Sequence, residues 1–325
     1  MCCSAWPVTF SRTITGTWEV LVEDRLMHVL LYQNRIGKPA FAADYTKPAW
    51  AEPPPPKPDE MVLPEGQGNC LIIPLIGHWS SIRLLNTFDT PNLLEDISKA
   101  IFLPIITRSA GPVASAGGWG GSGGGLVFLQ FDIYDIVIAE NARDIPAAIK
   151  EINPLKRPKV NTQVFSVLDD WYGCPVAVCC FNNVQSGDAK PLAFAFEPLY
   201  PDTLVVYTLD GHDGKPPAPN EIVKVDHDIF VGSYLMKADS FADVKYTDEI
   251  PDHLRPYILN KLLGTKVQTQ MENGDFVFQT EHVRKGLFQG LRALPPFAPS
   301  GIKREGHQIV READYIYAAS HPLWG

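Results

Sequence analysis

Trp18-Glu19-Val20-Leu21-Val22, followed by Met27-His28-Val29-Leu30-Leu31-Tyr32, is the stretch that decides the fold class. Both runs are rich in β-branched, aromatic and long apolar side chains, the composition of strands that pack on a pleated surface. With Val8 and Phe10 ahead of them and Gly16 as a turn signal, residues 6–32 read as strands that pair with one another. A sheet therefore begins at the front of the chain, and Cys2 leads directly into it.

Working outward, Cys70-Leu71-Ile72-Ile73-Pro74-Leu75-Ile76 reads as a short central strand whose end Pro74 pushes toward an edge. Thr90 with Pro91 opens a helix whose apolar face is Leu93, Leu94, Ile97 and Ile101. A long strand runs from Leu126 to Ile138. A helix capped by Asp144, with Pro146 in its first turn, and a second helix from Asn161 to Trp171 come next. Pro175 to Phe181, Leu192 to Phe196 and Leu204 to Leu209 read as three strands, and their short connections predict antiparallel neighbours. Val223 to Phe230 adds a strand, a short helix is expected around His253 to Leu263, and Glu272-Asn273-Gly274 reads as the turn of a hairpin between 265–271 and 275–280. These elements predict one α+β domain over residues 1–325, with a mixed, mostly antiparallel sheet and a few flanking helices; a split near residue 155 is the alternative.

Three biased segments interrupt this pattern. Residues 38–60 form a Pro-rich surface segment, 109–125 a Gly-rich loop, and 294–325 a C-terminal strap rich in proline and aromatics. Within the loop, Gly118-Trp119-Gly120-Gly121-Ser122-Gly123 fits the spacing of a dinucleotide fingerprint, but it runs into the strand starting at Leu126 instead of leaving one and opening a helix. No nucleotide cofactor is expected. The loop reads either as a flexible lid carrying Trp119 or as a plain solvent loop.

Composition excludes several classes. The 325 residues are 45% hydrophobic and 20% charged, the balance of a globular protein with a substantial core. A formal charge of −9 with scattered Lys and Arg argues against a nucleic-acid surface. No apolar run reaches the roughly 20 residues of a membrane span, and Arg12, Glu19, Glu23, Asp24 and Arg25 break up any signal peptide. The six cysteines fall as Cys2-Cys3, Cys70, Cys174 and Cys179-Cys180, too sparse for a disulfide-stapled secreted domain. Reduced thiols and a cytoplasmic location are expected.

The chemistry concentrates at Met1-Cys2-Cys3. Loss of Met1 would leave Cys2 with a thiol and an α-amine on one carbon, so the amine serves as base for its own nucleophile. The same two atoms chelate a soft metal. His212, in Asp210-Gly211-His212-Asp213-Gly214, and His227, in Asp226-His227-Asp228, are each flanked by carboxylates able to orient an imidazole. Against a role for them stand the ordinary use of Asp and Gly in turns and the alternation of a half-exposed strand. Three functions stay open: amide or ester hydrolysis or acyl transfer with Cys2 as nucleophile, His212 or His227 as supporting acid and Asp226 beside His227; copper, zinc or iron held by the Cys2 thiolate and amine with His212, His227 or both; or a non-catalytic binding or assembly protein. The first implies a small-molecule or peptide substrate. A minor option, acylation of Cys2 or Cys3 as an anchor, lacks the polybasic support that stable membrane attachment needs.

Met1-Cys2-Cys3, Thr13-x-x-Gly16, Asn69-Cys70-Leu71-Ile72-Ile73-Pro74, Leu93-Leu94-Glu95-Asp96-Ile97, His212-Asp213-Gly214 and Asp226-His227 together resemble an uncharacterised bacterial family that opens with Met-Cys-Cys. That resemblance spans roughly the first 240 residues, and the family has no established activity to transfer. Cys2 and the strand after it are also similar to the N-terminal-nucleophile hydrolases. Trp18-Glu19-Val20-Leu21 departs from the Arg and Asp that bile-acid hydrolases carry in that region, and Cys3 departs from the glycine of glutamine amidotransferases.

Overall fold

The opening strands are present, but they do not turn at Gly16. In the computed structural model, β2 (Phe10–Val22) and β3 (Arg25–Ile36) pair antiparallel across Glu23 and Asp24. Those two residues have φ of 50° and 60°, the left-handed conformation that a tight hairpin needs at both central positions. Gly16 lies in mid-strand opposite Phe230. A Cβ there would stand 1.9 Å from the Phe230 ring and 2.7 Å from its carbonyl oxygen, so the glycine serves close strand approach.

Residues 2–4, 10–36, 68–102, 125–182, 189–211, 214–218, 221–237, 241–293 and 310–317 are described. The Pro-rich segment 38–60, the Gly-rich loop as far as residue 124, His212 and Asp213, and most of the C-terminal strap lie outside them.

The α+β architecture holds, with three sheets among the described residues in place of one. In the seven-stranded sheet the order is β13 (Ala242–Asp243), β14 (Lys261–Glu272), β12 (Ile222–Ser233), β2, β3, β9 (Leu192–Phe196) and β5 (Arg83–Leu85). On one side lie Ile14, Trp18 and Val20 of β2, in one apolar cluster with Leu93, Leu94, Ile97 and Ile101 of α1 (Leu93–Phe102). The helix has the expected apolar face but begins past Pro91, at Leu93. Arg12 fastens it to the sheet: its Nε and Nη2 donate to Asp228 Oδ2 at 3.0 and 2.6 Å, its Nη1 donates to Glu95 Oε2 at 2.8 Å, and Ser98 Oγ donates to the same Asp228 oxygen at 2.8 Å.

The six-stranded sheet has the order β11 (Asp210–Gly211), β1 (Cys2–Ser4), β4 (Asn69–Pro74), β8 (Val176–Phe181), β7 (Tyr134–Ala139) and β6 (Leu126–Phe131). The single long strand expected from Leu126 to Ile138 is instead the hairpin β6–β7, folded where Asp132 takes a φ of 50°. Ile145 and Ala148 of α2 (Ile145–Ala148) and Val164, Phe165 and Leu168 of α3 (Thr162–Tyr172) share a core with this sheet. The helix expected from Asn161 to Trp171 is α3: Asn161 caps it by accepting from Gln163 N–H, and Gly173 closes it in the left-handed conformation, whereas Asp144, expected to cap α2, makes no side-chain cap bond. A four-stranded sheet, β10 (Thr203–Val206), β15 (Asp275–Gln279), β16 (Gln289–Ala293) and β17 (Val310–Tyr317), completes the architecture. β17 comes from within the C-terminal strap. Among the named pairs, only β1–β11 and β2–β12 are parallel, and β3–β9 and β4–β8 run across residue 155.

Three further expectations are corrected. The strands from Pro175 onward are not neighbours: β8, β9 and β10 enter three different sheets. Short connections permit hairpins but do not require them: β9 has β3 and β5 on its two edges, and it is buried along its whole length because Leu192, Phe194 and Phe196 face one core and Ala193 and Ala195 another. The helix around His253 to Leu263 is one 3-10 turn at Arg255–Tyr257, after which β14 begins. The Asn273-Gly274 hairpin is absent, for β14 pairs with β12 and β15 with β10 and β16.

Candidate functional site

β1 is three residues long and lies between two partners. On one side it runs antiparallel to β4, with Cys3 opposite Ile72 and Ser4 opposite Leu71. On the other it runs parallel to β11, with Cys2 beside Asp210 and Cys3 beside Gly211. The backbone of the first residues is thus built into a sheet. His212 follows Gly211 in the chain and lies outside the described residues. Beyond it, Gly214 lines a narrow cleft, no larger than one water, with Cys70 and Ile72 of β4, Phe165 of α3 and its cap Asn161.

The strip 208–210 that carries β11 is fastened by side chains. Asn273 Oδ1 accepts from Asp210 N–H at 2.8 Å, and Asn273 Nδ2 donates to Asp210 C=O at 2.8 Å. Asp275 Oδ1 accepts from the N–H groups of Thr208 and Leu209, both at 2.8 Å. Tyr172 Oη donates to the other carboxylate oxygen of Asp275 at 2.5 Å, and Thr208 Oγ1 donates to Gly274 C=O at 3.0 Å. Asn273 and Asp275 are 2% and 0% exposed, so no solvent competes for these bonds. Nothing in composition or periodicity singled them out as site residues; Asn273 carried a turn signal, and its amide spends itself on Asp210.

His227 and Asp226 lie on β12, in the seven-stranded sheet, whereas Cys2 lies in the six-stranded one. His227 is buried between Thr13 of β2 and Val267 of β14. Its Nδ1 accepts from the Asp226 N–H at 3.3 Å and is 3.6 Å from Asp226 Oδ1. The adjacent Asp228, not Asp226, is the carboxylate that binds Arg12. Among the described residues no group of three or more His, Cys, Asp or Glu is arranged to hold a metal.

Cys179 and Cys180 have opposite registers on β4: Cys179 faces Leu71 and Cys180 faces Cys70. Cys70, Cys174, Cys179 and Cys180 are buried and in no disulfide. Burial pushes the thiols of Cys174, Cys179 and Cys180 well above the ordinary range, which keeps them protonated and unreactive.

A second buried charge lies at the far end of β2. Glu19 is fully buried, and Arg284 of α4 (Thr280–Arg284) donates to it through Nε at 2.6 Å and Nη2 at 2.7 Å, while Ser233 Oγ donates at 2.5 Å. His28 stands opposite Glu19 on β3. Burial lowers its pKa to about 3, with Arg284 adding to the shift and the hydrogen bond to Pro201 C=O opposing it.

No protein-family model and no curated protein sequence matches the chain. Solved structures similar to it include the crystal structure of baculovirus P35, at 12% identity and a TM-score of 0.38, covering 87% of this chain and 92% of that one. A mutated baculovirus P35 after caspase cleavage is similar at 11% identity and a TM-score of 0.38, covering 83% and 98%. Scores this low carry no inference about activity. No helix among the described residues is long and apolar enough to cross a membrane.

Proposed function

We propose that the chain is an N-terminal-cysteine enzyme that hydrolyses an amide or ester, or transfers its acyl group, with Cys2 as nucleophile. The reading takes Cys2 as the first residue after loss of Met1. Its α-amine accepts the thiol proton and the thiolate attacks the acyl carbon. The substrate's amine or alcohol leaves with a proton, for which His212 is the supporting acid, and a thioester remains on Cys2. Water, or a second nucleophile, then takes the acyl group and restores the thiol. Substrates are small molecules or peptides, and the cytoplasm is the compartment in which such a thiol stays reduced.

The observation that supports this reading is the pairing of Cys2 with Asp210 and of Cys3 with both Gly211 and Ile72. Chain ends ordinarily fray, and a nucleophile must be held in place to be useful. Asp226 and His227, in another sheet, have no step assigned to them here. The test is incubation of the full chain with p-nitrophenyl acetate. Release of p-nitrophenol with a hydroxylamine-labile acyl group on the Cys2 peptide is the expected result, abolished in Cys2→Ala; equal release by that variant sinks the proposal.

A further inference from the structure

We propose that Asn273 and Asp275 are positioning residues for Cys2, acting through Asp210 and the two-residue strand β11. The inference rests on the reading of Cys2 as a nucleophile.

A three-residue strand has too few ladder bonds to hold a place of its own, so its position is that of its neighbours. β4 is fixed on both edges, by β1 and β8. β11 is not: it is terminal in its sheet. Where the next strand would lie, the Asn273 carboxamide gives Asp210 one acceptor and one donor, the pair of bonds a neighbouring peptide group would make. Asp275 acts only as acceptor for the two residues before it, taking both N–H groups on one oxygen while Tyr172 holds the other. Asn273 is itself anchored, its N–H donating to Glu221 C=O at 2.9 Å. The chain of contact thus runs from the start of β12 through Asn273 to Asp210 and across the ladder to Cys2. Displacing a reacting group by about 1 Å is enough to cost a large factor in rate, and a strand rises about 3.3 Å per residue. Loosening β11 therefore loosens Cys2 on the scale that matters.

Asn273→Ala and Asn273→Asp test this in the full-length protein. Both are read by amide exchange of the N-terminal peptide and of residues 208–211, by the rate and pH profile of Cys2 alkylation with iodoacetamide, and by melting temperature. Exchange in both peptides should rise at least about tenfold, and the pH profile of Cys2 should move toward that of a free N-terminal cysteine peptide, while Cys70, Cys179 and Cys180 stay unlabelled. Aspartate keeps the acceptor and loses the donor, so it should not rescue. A fall in melting temperature with exchange and pH profile unchanged would overturn the proposal and leave Asn273 as a loop fastening. Raised exchange in a protein whose Cys2 is inert from the outset leaves the positioning intact and removes the nucleophile. Should both variants fail to fold, Tyr172→Phe removes the hydroxyl that donates to Asp275. It should move exchange in the same direction by less, and no movement there counts against the proposal.

Discussion

The side-chain amide of Asn273 holds both backbone groups of Asp210, one bond in each direction, at 2.8 Å each. This is why Asn273-Gly274 does not make a hairpin. An Asn in a tight hairpin turns back on its own backbone, whereas here the amide is committed 63 residues away. Gly274 has no left-handed φ, unlike Gly173 and Gly214, so the turn chemistry that the dipeptide advertises is not used.

Arg284 and Glu19 form the ion pair whose loss should be felt most. Glu19 is wholly buried and takes two hydrogen bonds from the guanidinium, so Arg284→Ala strands a carboxylate without water. A loss of about 3 kcal/mol or more is expected in urea unfolding. Arg284→Lys should recover only part of it, because one ammonium cannot supply the paired Nε and Nη2 donors. Full recovery by lysine would show that charge, not geometry, holds Glu19.

His28 should make the protein acid-sensitive. Its folded pKa of about 3 lies below the unfolded value of 6.5. Between those two values the unfolded chain binds a proton that the folded chain refuses, so stability falls as pH drops through that window, by roughly 1.4 kcal/mol per pH unit from this group alone. Above pH 6.5 it contributes no slope. His28→Phe should flatten the profile from pH 6.5 downward, even though it orphans Pro201 C=O and lowers stability at neutral pH. An unchanged acid slope in chemical denaturation across this window would refute the assignment.

Gly16→Ala should destabilise by about 3 kcal/mol, as its Cβ would overlap the Phe230 ring. Pairing it with Phe230→Leu should recover part of that loss, because the ring clash goes and the 2.7 Å contact with the Phe230 carbonyl remains. A Gly16→Ala protein as stable as the wild type would mean that β2 and β12 can separate at no cost.

Local signals in the sequence carried the elements well and their partners poorly. The helix expected from Asn161 onward is α3, with Asn161 as its cap, but the Asp144 cap expected for α2 is not made. The apolar runs at Cys70, Pro175 and Leu192 all became strands, since side-chain type suffices for that. Which sheet each strand joins depends on contacts far along the chain, and the alternation of a strand is the same whichever neighbour it takes. The β6–β7 fold at Asp132 was missed because no Gly or Pro marks it. Cys2 enters the proposal through its chemistry alone, and the structure adds its backbone pairing with Asp210. Asn273 and Asp275 were not legible in the sequence, because a side chain that completes a ladder leaves no periodic trace.

The most direct test of Cys2 as the held, reactive thiol is limited alkylation of the native protein, followed by intact mass and peptide mapping. A first label on a chain that begins at Cys2, on Cys2 itself and ahead of the shielded Cys70, Cys174, Cys179 and Cys180, is the predicted result. A chain that retains Met1, or a first label on Cys179 or Cys180, would contradict it.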